Sequence, residues 1–237
     1  MSLLLLLGQS SSSTPAFDPG SLSGLTQRFL DEDPTYYGST VNSYPVLTPE
    51  ETGTVAQPRG QRCALFDGSN DFAALGTRIT SGSPSALTFS VWLKTSNAGV
   101  QAISSEWFLN DSSWLLASAG AVTFMLSTDG TSNTYLFTTS EAINTGAWVH
   151  LAFSYNGSTA TVYINGVVAT GTPTGSVPAS LFNSTASFQL GTYLSSGSLP
   201  FTGSMRDARV YSSAKSLAEI QAIYNQSSTP STIDTTG

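Results

Sequence analysis

The segment from Trp148 to Gly166 constrains the fold more than any other part of the chain. Two Asn-Gly pairs, Asn156-Gly157 and Asn165-Gly166, each follow a run of residues that favours extended backbone. A type I′ hairpin turn needs positive φ at both central residues, and Asn and Gly tolerate that conformation best. Before the first turn, apolar residues occupy alternate positions, as in a strand with one buried face: Val149, Leu151 and Phe153. The segment therefore predicts two successive hairpins in an antiparallel β-sandwich.

The chain after Gln61 continues this pattern. Short apolar runs separated by turn residues predict strands over 62–66, 71–75, 87–94, 100–104, 113–118, 121–127, 133–138, 147–155, 160–165, 186–191 and 202–211. Many short strands without intervening helices are typical of a sandwich or barrel. One short helix is predicted near the C-terminus, because Ser216 and Glu219 have the spacing of a capping box. With 237 residues, the chain is long enough for one large β-sandwich.

Two segments lie outside this strand pattern. Residues 1–60 contain six prolines and a serine-rich run, which predict an extended N-terminal arm. Such a segment cannot fold alone, so it must lie either on its own sandwich or on a neighbouring chain. Residues 226–237 are rich in Ser, Thr and Pro and predict an extended tail. The predicted division is therefore an arm (1–60), a β-sandwich domain (61–225) and a tail (226–237).

Charge and cysteine content narrow the possible partners. The chain carries a net charge of −7, which argues against nucleic acid as a partner. Cys63 is the single cysteine, so an internal disulfide is excluded and a buried structural thiol is expected.

The apolar run Leu3–Leu7 is far below the ~20 residues of a membrane-spanning helix and lacks the basic region of a leader. We predict that it is a retained apolar arm and not a membrane anchor.

Four separated blocks of the sequence match a known family in the right order: Ala64–Phe72, Leu87–Lys94, Trp148–Gly166 and Phe201–Tyr211. Together with the short helix that follows, they make residues 61–224 resemble the laminin-G-like, concanavalin A-like jelly-roll domains. The resemblance implies an all-β fold, in which two antiparallel sheets face each other as a jelly-roll sandwich. It does not imply one function, because such folds host lectins, adhesins, glucanases and structural modules.

The acidic residues and the histidine argue against an enzyme. Glucanases of this fold place acidic residues at alternating positions of one strand, on either side of the glycosidic bond. Here Glu106, Glu141 and Glu219 are isolated from one another in sequence. His150 is the only histidine, and a packed, hydrogen-bonded strand residue is expected there rather than a catalytic base. The sequence therefore predicts a non-enzymatic protein.

A structural calcium ion is a further expectation. In relatives of this fold, a cation often ties the first turn to the last strand. Asp67 and Asn70 in the turn, with Asp207 in the closing strand, offer oxygen ligands of the kind that calcium prefers. The alternative is that Asp67 caps its own Asp-Gly turn and that Asp207 pairs with Arg206 or Arg209.

A glycan-binding surface would need exposed aromatic side chains with amides or carboxylates nearby. Trp107 and Tyr193 are predicted to supply the aromatic rings, and Asn110 and Asp111 the polar groups. Trp92, Trp148 and Trp114 lie in apolar strand runs and are expected to be packing residues instead.

The arm completes the functional prediction. Leu3, Leu4, Leu5, Leu6 and Leu7 are costly to leave in water and are predicted to dock into a neighbouring subunit. The start of the chain resembles bacteriophage structural proteins that carry a sandwich domain at the carboxyl end. We therefore predict a homo-oligomeric virion structural protein, for capsid decoration or tail-associated adhesion. It would display a lectin-like jelly roll on the virion surface, where surface glycans are its expected ligands. The alternative is an extracellular carbohydrate-binding module or adhesin secreted by a bacterium.

Overall fold

A computed structural model describes residues 25–29, 46–49, 62–74, 78–108, 110–112, 114–193 and 198–228. Within these ranges the chain forms one helix, α1 (Leu217–Ser228), and fifteen strands in two sheets. Sheet A contains β1 (Leu25–Phe29), β2 (Val46–Pro49), β3 (Arg62–Asp67), β5 (Leu87–Lys94), β10 (Trp148–Tyr155), β11 (Ala160–Ile164), β12 (Val167–Val168) and β15 (Thr202–Tyr211). Sheet B contains β4 (Ala73–Ala74), β6 (Gln101–Glu106), β7 (Trp114–Ala119), β8 (Ala121–Leu126), β9 (Tyr135–Ala142), β13 (Gly171–Gly175) and β14 (Gln189–Leu190).

The two sheets face each other across one apolar core, and neighbouring strands in both are antiparallel. Sheet A runs in the order β12-β11-β10-β5-β15-β3-β2, and sheet B in the order β13-β9-β8-β7-β6-β14-β4. Aromatic rings join the sheets at the centre, where Phe124 of sheet B stacks on Phe153 of sheet A at a centroid distance of 4.2 Å. The predicted two-sheet jelly-roll sandwich with one short C-terminal helix is confirmed.

Only one of the two predicted type I′ turns forms. Asn165 and Gly166, which join β11 to β12, have φ values of 52° and 75°, as the prediction requires. The loop from Asn156 to Thr159 is longer, because Tyr155 pairs with Ala160 and leaves four residues between the strands. There Asn156 Oδ1 accepts hydrogen bonds from the backbone N–H groups of Ser158 and Thr159 at 3.0 and 2.7 Å. The predicted type I′ turn at Asn156-Gly157 is therefore wrong, and a side-chain-capped loop takes its place.

Both faces of β10 are buried, whereas alternation predicted one exposed face. Helix α1 lies on the outer face of sheet A, where Ile220 and Ile223 pack against Ala152, Tyr163 and Tyr211. Burial of an isoleucine side chain contributes about 1.5–3 kcal/mol, so this contact explains why the helix docks.

The capping box forms as predicted. Ser216 N–H donates to Glu219 Oε2 at 2.8 Å, and Glu219 N–H donates to Ser216 Oγ at 3.4 Å. Leu217, the first residue of the helix, is 42% exposed, whereas Ile220 and Ile223 are buried against sheet A. Among the described residues, no helix has the length and hydrophobicity to cross a membrane.

Two strands come from residues 1–60, the segment that was predicted to be an extended arm. Leu25–Phe29 pairs with the second half of β15, and Val46–Pro49 pairs with β3. Both belong to sheet A, so these parts of residues 1–60 lie on the chain's own sandwich and not on a neighbouring chain. The predicted assembly residues Leu3–Leu7 lie outside the described residues. Of the predicted extended tail 226–237, residues 226–228 form the end of α1, and the rest lie outside the described residues.

His150 is enclosed by aromatic side chains on the outer face of sheet A. Its ring lies 5.4 Å from Trp92 and 5.7 Å from Tyr224, measured between centroids. Neither ring nitrogen has a hydrogen-bond partner within the part of the chain that is described, so the packing was predicted correctly but the hydrogen bonding was not. Burial lowers the pKa of His150 to about 3, with Arg209 and Arg206 acting in the same direction and Asp207 against it.

We expect His150 to make folding stability depend on pH. Its folded pKa of about 3 lies below the ordinary value of 6.5, so the unfolded chain binds the extra proton as the pH falls below about 6.5. The contribution of the neutral ring is full above about pH 6.5 and decreases toward pH 3, by about 2 kcal/mol between pH 7.5 and 5. Urea unfolding of the wild type and of His150→Phe at several pH values measures this as a change in their stability difference. The same difference at all pH values would contradict the prediction, and His150→Gln provides a second variant.

Candidate functional site

The outer face of sheet B carries a second apolar cluster, separate from the core. Strand β7 shows the alternation that creates it, since Trp114 and Leu116 point into the core while Leu115 and Ala117 point outward. Ala102, Leu115 and Ala117 are themselves buried, and partly buried side chains pack around them. We name this cluster the outer patch; it consists of Ala102, Trp107, Leu115, Ala117, Met125, Tyr193 and Leu199.

The strand register arranges this face into rows, because directly paired residues point to the same side. One row crosses four strands through Leu136, Met125, Leu115 and Ser105. The adjacent row carries hydroxyl groups beside small residues, in the order Thr172, Thr138, Thr123, Ala117 and Ala102. The hydroxyl oxygens of Thr123 and Thr138 are 3.3 Å apart. An apolar row therefore runs beside a row that offers hydrogen-bond donors and acceptors.

The two predicted aromatic residues both lie beside β6. Trp107 directly follows the last residue of that strand. Tyr193 follows Thr192, whose carbonyl oxygen accepts a hydrogen bond from Ser105 Oγ of the strand at 3.0 Å. In the same loop, Tyr193 N–H donates to Ser198 O at 2.9 Å, and Ala102 N–H donates to Leu199 O at 2.8 Å. Both rings are partly buried against the outer patch, so the structure brings these two predicted residues onto one face.

Asn110 and Asp111 lie in the loop that follows Trp107, where the carboxylate of Asp111 has protein partners of its own. The Asp111 carboxylate accepts hydrogen bonds from Thr185, at 2.8 Å from its N–H and also from its hydroxyl, and Ser184 Oγ donates to Asp111 O at 2.8 Å. Asp111 therefore anchors the neighbouring 184–185 loop. Asn110 is exposed and takes a positive φ of 57°, which asparagine tolerates better than most residues. These observations favour a structural explanation for both residues of the loop.

The three predicted calcium ligands are not brought together. Asp67 pairs with Thr202 in β15, and Asp207 lies five residues further along that strand, about 15 Å away. Asp67 Oδ1 accepts from Ser69 N–H at 2.7 Å, as in a capped turn. Within the described ranges, no group of three or more His, Cys, Asp and Glu residues could hold a metal ion. The set of Asp67, Asn70 and Asp207 is not one site in this structure, and calcium binding stays a prediction.

Asp207 instead forms a buried ion pair. Its carboxylate accepts from Arg209 Nε and Nη2, both at 2.7 Å, and the two side chains are 3% and 1% exposed. Burial alone would lower the pKa of Arg209, but the Asp207 carboxylate and its hydrogen bonds raise it above the ordinary value. The alternative that Asp207 pairs with Arg209 is the one observed.

Arg206 was not singled out by sequence reasoning, yet it organises the outer face of sheet A. Its guanidinium lies 5.0 Å from the ring centroid of Trp92 and 4.9 Å from that of Trp148. In the strand register Arg206 of β15 lies directly opposite Trp92 of β5, and this pairing cannot be seen without the structure. The expectation that Trp92 and Trp148 are packing residues is confirmed, and Cys63 is buried in the same cluster as expected.

The three isolated glutamates each hold local structure. The buried Glu106 carboxylate accepts from Ile79 N–H and from the N–H and hydroxyl of Thr80, and burial raises its pKa to about 7 against these hydrogen bonds. Glu141 accepts from Thr170 N–H at 3.0 Å, and Glu219 caps α1. These roles differ from the alternating carboxylates of a glycosidase.

Met125, Leu199 and the threonine row were not predicted from sequence. The signal for Thr123 and Met125 was the alternation of the sequence Ala121–Leu126, in which every second residue is a large apolar one. In the structure those large apolar residues are buried, and the residues between them are only partly buried. Leu199 has a φ of 51° and lies in a loop, so no periodicity could have placed it on the face.

Comparison with known proteins agrees with this architecture. A laminin-G-type family model, described as the concanavalin A-like lectin/glucanases superfamily, matches residues 67–221. A search of curated proteins found no match.

Solved structures of similar fold have low sequence identity. The binding domain of Paraclostridial mosquitocidal protein 1 is 12% identical with a TM-score of 0.60, and covers 79% of this chain and 47% of its own. The ligand-binding domain of botulinum neurotoxin serotype D, in complex with N-acetylneuraminic acid, is 17% identical with a TM-score of 0.52, covering 74% and 44%. This chain thus spans about half the length of these toxin domains.

A third similar structure is closer in length. Domain 4 of a GH43 extracellular arabinanase from Geobacillus stearothermophilus, in complex with arabinotriose, is 22% identical with a TM-score of 0.51, and covers 79% of this chain and 82% of its own. The family match covers well over half of the residues, and the two-sheet fold agrees with it. The chain therefore belongs to the concanavalin A-like lectin/glucanases superfamily.

Proposed function

We propose that this protein is a non-catalytic carbohydrate-binding module whose glycan binds on the outer face of sheet B. The observation that carries the proposal is the outer patch, where Trp107 and Tyr193 pack on one apolar cluster beside a row of threonine hydroxyls. Sugar rings present C–H faces to aromatic side chains and hydroxyl groups to polar partners. An apolar face with a few convergent polar groups suits such a ligand.

Two of the similar structures support this proposal, because each was solved with a bound sugar. The arabinanase domain was solved with arabinotriose, and the toxin domain with N-acetylneuraminic acid. Both share the jelly-roll fold at low identity, so they show that related sandwiches are used for glycan recognition in those proteins. A non-catalytic role here is supported by the structural tasks of Glu106, Glu141 and Glu219.

Trp107→Ala tests the proposed site. We expect this substitution to weaken binding to the best ligand of a neutral and acidic oligosaccharide panel by about tenfold or more, because an aromatic ring at the centre of contact carries much of the binding energy. Isothermal titration calorimetry measures the affinity. Val167→Ala is the control, since Val167 is 65% exposed at the end of a hairpin in sheet A. Equal losses in both variants, or none in Trp107→Ala, would count against this site.

We further propose that residues Leu3–Leu7 mediate assembly, as predicted from their composition, and that the module is displayed on a virion or cell surface. This part of the proposal rests on the sequence of the arm and on its resemblance to bacteriophage structural proteins. A truncation at Gln61 would be a poor test, because it removes β1 and β2 from sheet A.

Replacement of all five leucines Leu3–Leu7 by serine keeps both strands and tests assembly directly. We expect the wild type to form oligomers and the variant to be a monomer, because burial of each leucine contributes about 1.5–3 kcal/mol to association. Light scattering measures the mass of each. A monomeric wild type, or an oligomer that survives the substitution, would refute an assembly role for these residues.

A further inference from the structure

Basic residues occur in the strands of only one of the two sheets. The seven strands of sheet B contain no lysine or arginine. The strands of sheet A contain five, namely Arg28, Arg62, Lys94, Arg206 and Arg209. The strands of sheet B therefore carry no charged residue apart from two glutamates, Glu106 and Glu141.

Those glutamates do not point into the outer patch. Glu106 pairs with Trp114, whose ring lies in the core, and it binds the 79–80 loop. Glu141 is bonded to Thr170 at the side of the sheet that carries β13. The two rows of the outer face consist of apolar and hydroxyl side chains.

Of the remaining bases, Lys215 is buried beside α1 and pairs with Glu219 at 3.3 Å. Arg78 lies in the loop that covers Glu106, and its Nη1 donates to Ser184 O at 3.3 Å. Arg78 is thus the one described basic residue in a loop next to sheet B, and Asp111 is bonded to the same 184–185 segment. Any attraction of Arg78 for an anion is opposed by this neighbouring carboxylate.

Recognition of a carboxylate on a sugar normally uses arginine, lysine or several N–H donors, because transfer of an unpaired anion to a partly desolvated face is costly. The outer patch offers no such cation, and the chain as a whole has a net charge of −7. Long-range electrostatics therefore also oppose the approach of an anionic glycan.

We infer that the glycan bound by the outer patch is neutral, and that this module discriminates against sialylated and uronic acid-containing sugars. The inference rests on the proposed function and names the chemical class of its ligand. Affinity comes from packing on Trp107, Met125 and Tyr193 and from hydrogen bonds to threonine hydroxyls. It should therefore depend little on salt, unlike binding that relies on exposed charges.

The test measures binding of the full chain to matched neutral and acidic oligosaccharides by calorimetry. Arabinotriose, cellohexaose and maltohexaose are the neutral probes, and sialyllactose and trigalacturonic acid are the acidic ones. Each is titrated at about 0.05 M and about 0.5 M NaCl, a range over which the Debye length falls severalfold. Trp107→Ala shows whether binding uses the outer patch, and Arg78→Gln removes the neighbouring loop cation.

The expected result is binding of a neutral probe at least about tenfold tighter than either acidic probe, with the same affinity at both salt concentrations and in Arg78→Gln. Equal or tighter binding of an acidic probe would overturn the inference while leaving carbohydrate binding intact. Loss of that binding in Arg78→Gln would identify Arg78 as the cation responsible. Binding that is unchanged in Trp107→Ala would place the ligand elsewhere and overturn both proposals. No binding to any probe would overturn the proposed function, and the inference with it.

Discussion

Asp207→Asn should lower the free energy of unfolding by about 3–5 kcal/mol, because it leaves the Arg209 guanidinium buried without its counter-charge. The two side chains are 3% and 1% exposed and meet at 2.7 Å, so water cannot replace the lost carboxylate. Asparagine is chosen because Asp207 has a φ of 48°, which asparagine tolerates better than alanine. Urea unfolding followed by tryptophan fluorescence measures the change.

A double variant separates the pair from the fold around it. Asp207→Asn combined with Arg209→Met removes both charges and keeps an amide at the positive φ of residue 207, so it should recover most of the stability lost in the single variant. If Asp207→Asn loses less than about 1 kcal/mol, the ion pair is not the determinant of stability described above. This pair sits in a bulge of β15, where the register with β5 shifts between Arg206 and Arg209.

Trp114→Ala should lower the free energy of unfolding by a similar amount, about 3–5 kcal/mol, because it removes one of the aromatic side chains that link the two sheets. The Trp114 ring is fully buried and lies 5.0 Å from Phe153 and 5.6 Å from Phe89, both in sheet A. On its own side it stacks on Phe188 at 5.6 Å with an interplanar angle of 24°. We expect the melting temperature to fall by roughly 6–20 °C, since each kcal/mol corresponds to about 2–4 °C in a chain of this size.

Trp107→Ala is the matched control, because Trp107 belongs to the outer patch and is only partly buried. The two tryptophan variants should therefore separate. Trp114→Ala loses stability, whereas Trp107→Ala loses mainly glycan affinity. A reversed pattern would contradict the assignment of Trp114 to the core and of Trp107 to the surface.

Local patterns in the sequence were sufficient for much of the fold. The strand β5 begins and ends at the predicted residues 87 and 94, and β15 at the predicted residues 202 and 211. Turn chemistry placed Asn165-Gly166, and capping chemistry placed the start of α1. The strands that were missed include β1, β2 and β13. Both β2 and β13 contain proline, and β1 pairs with β15 near the other end of the chain.

The candidate site was predicted in part. Aromatic character identified Trp107 and Tyr193, and both pack against the same cluster on the outer face of sheet B. Asp111 was also expected there, but its partner is Thr185, which lies 74 residues along the chain. The position of Asp111 near Trp107 in the sequence does not show which distant N–H groups donate to its carboxylate.

Sequence alone determined the properties that depend on neighbouring residues, namely the antiparallel hairpins, the alternation of strands and the helix cap. It also determined the lack of basic residues in the strands of sheet B, since that follows from the residue types themselves. Only the tertiary structure decided that helix α1 covers the outer face of sheet A. It also decided that Asp207 pairs with Arg209 and not with the first turn, and that Thr123 and Thr138 lie in one row. These outcomes depend on contacts between residues far apart in the chain, where burial and charge pairing decide between alternatives that local patterns leave equal.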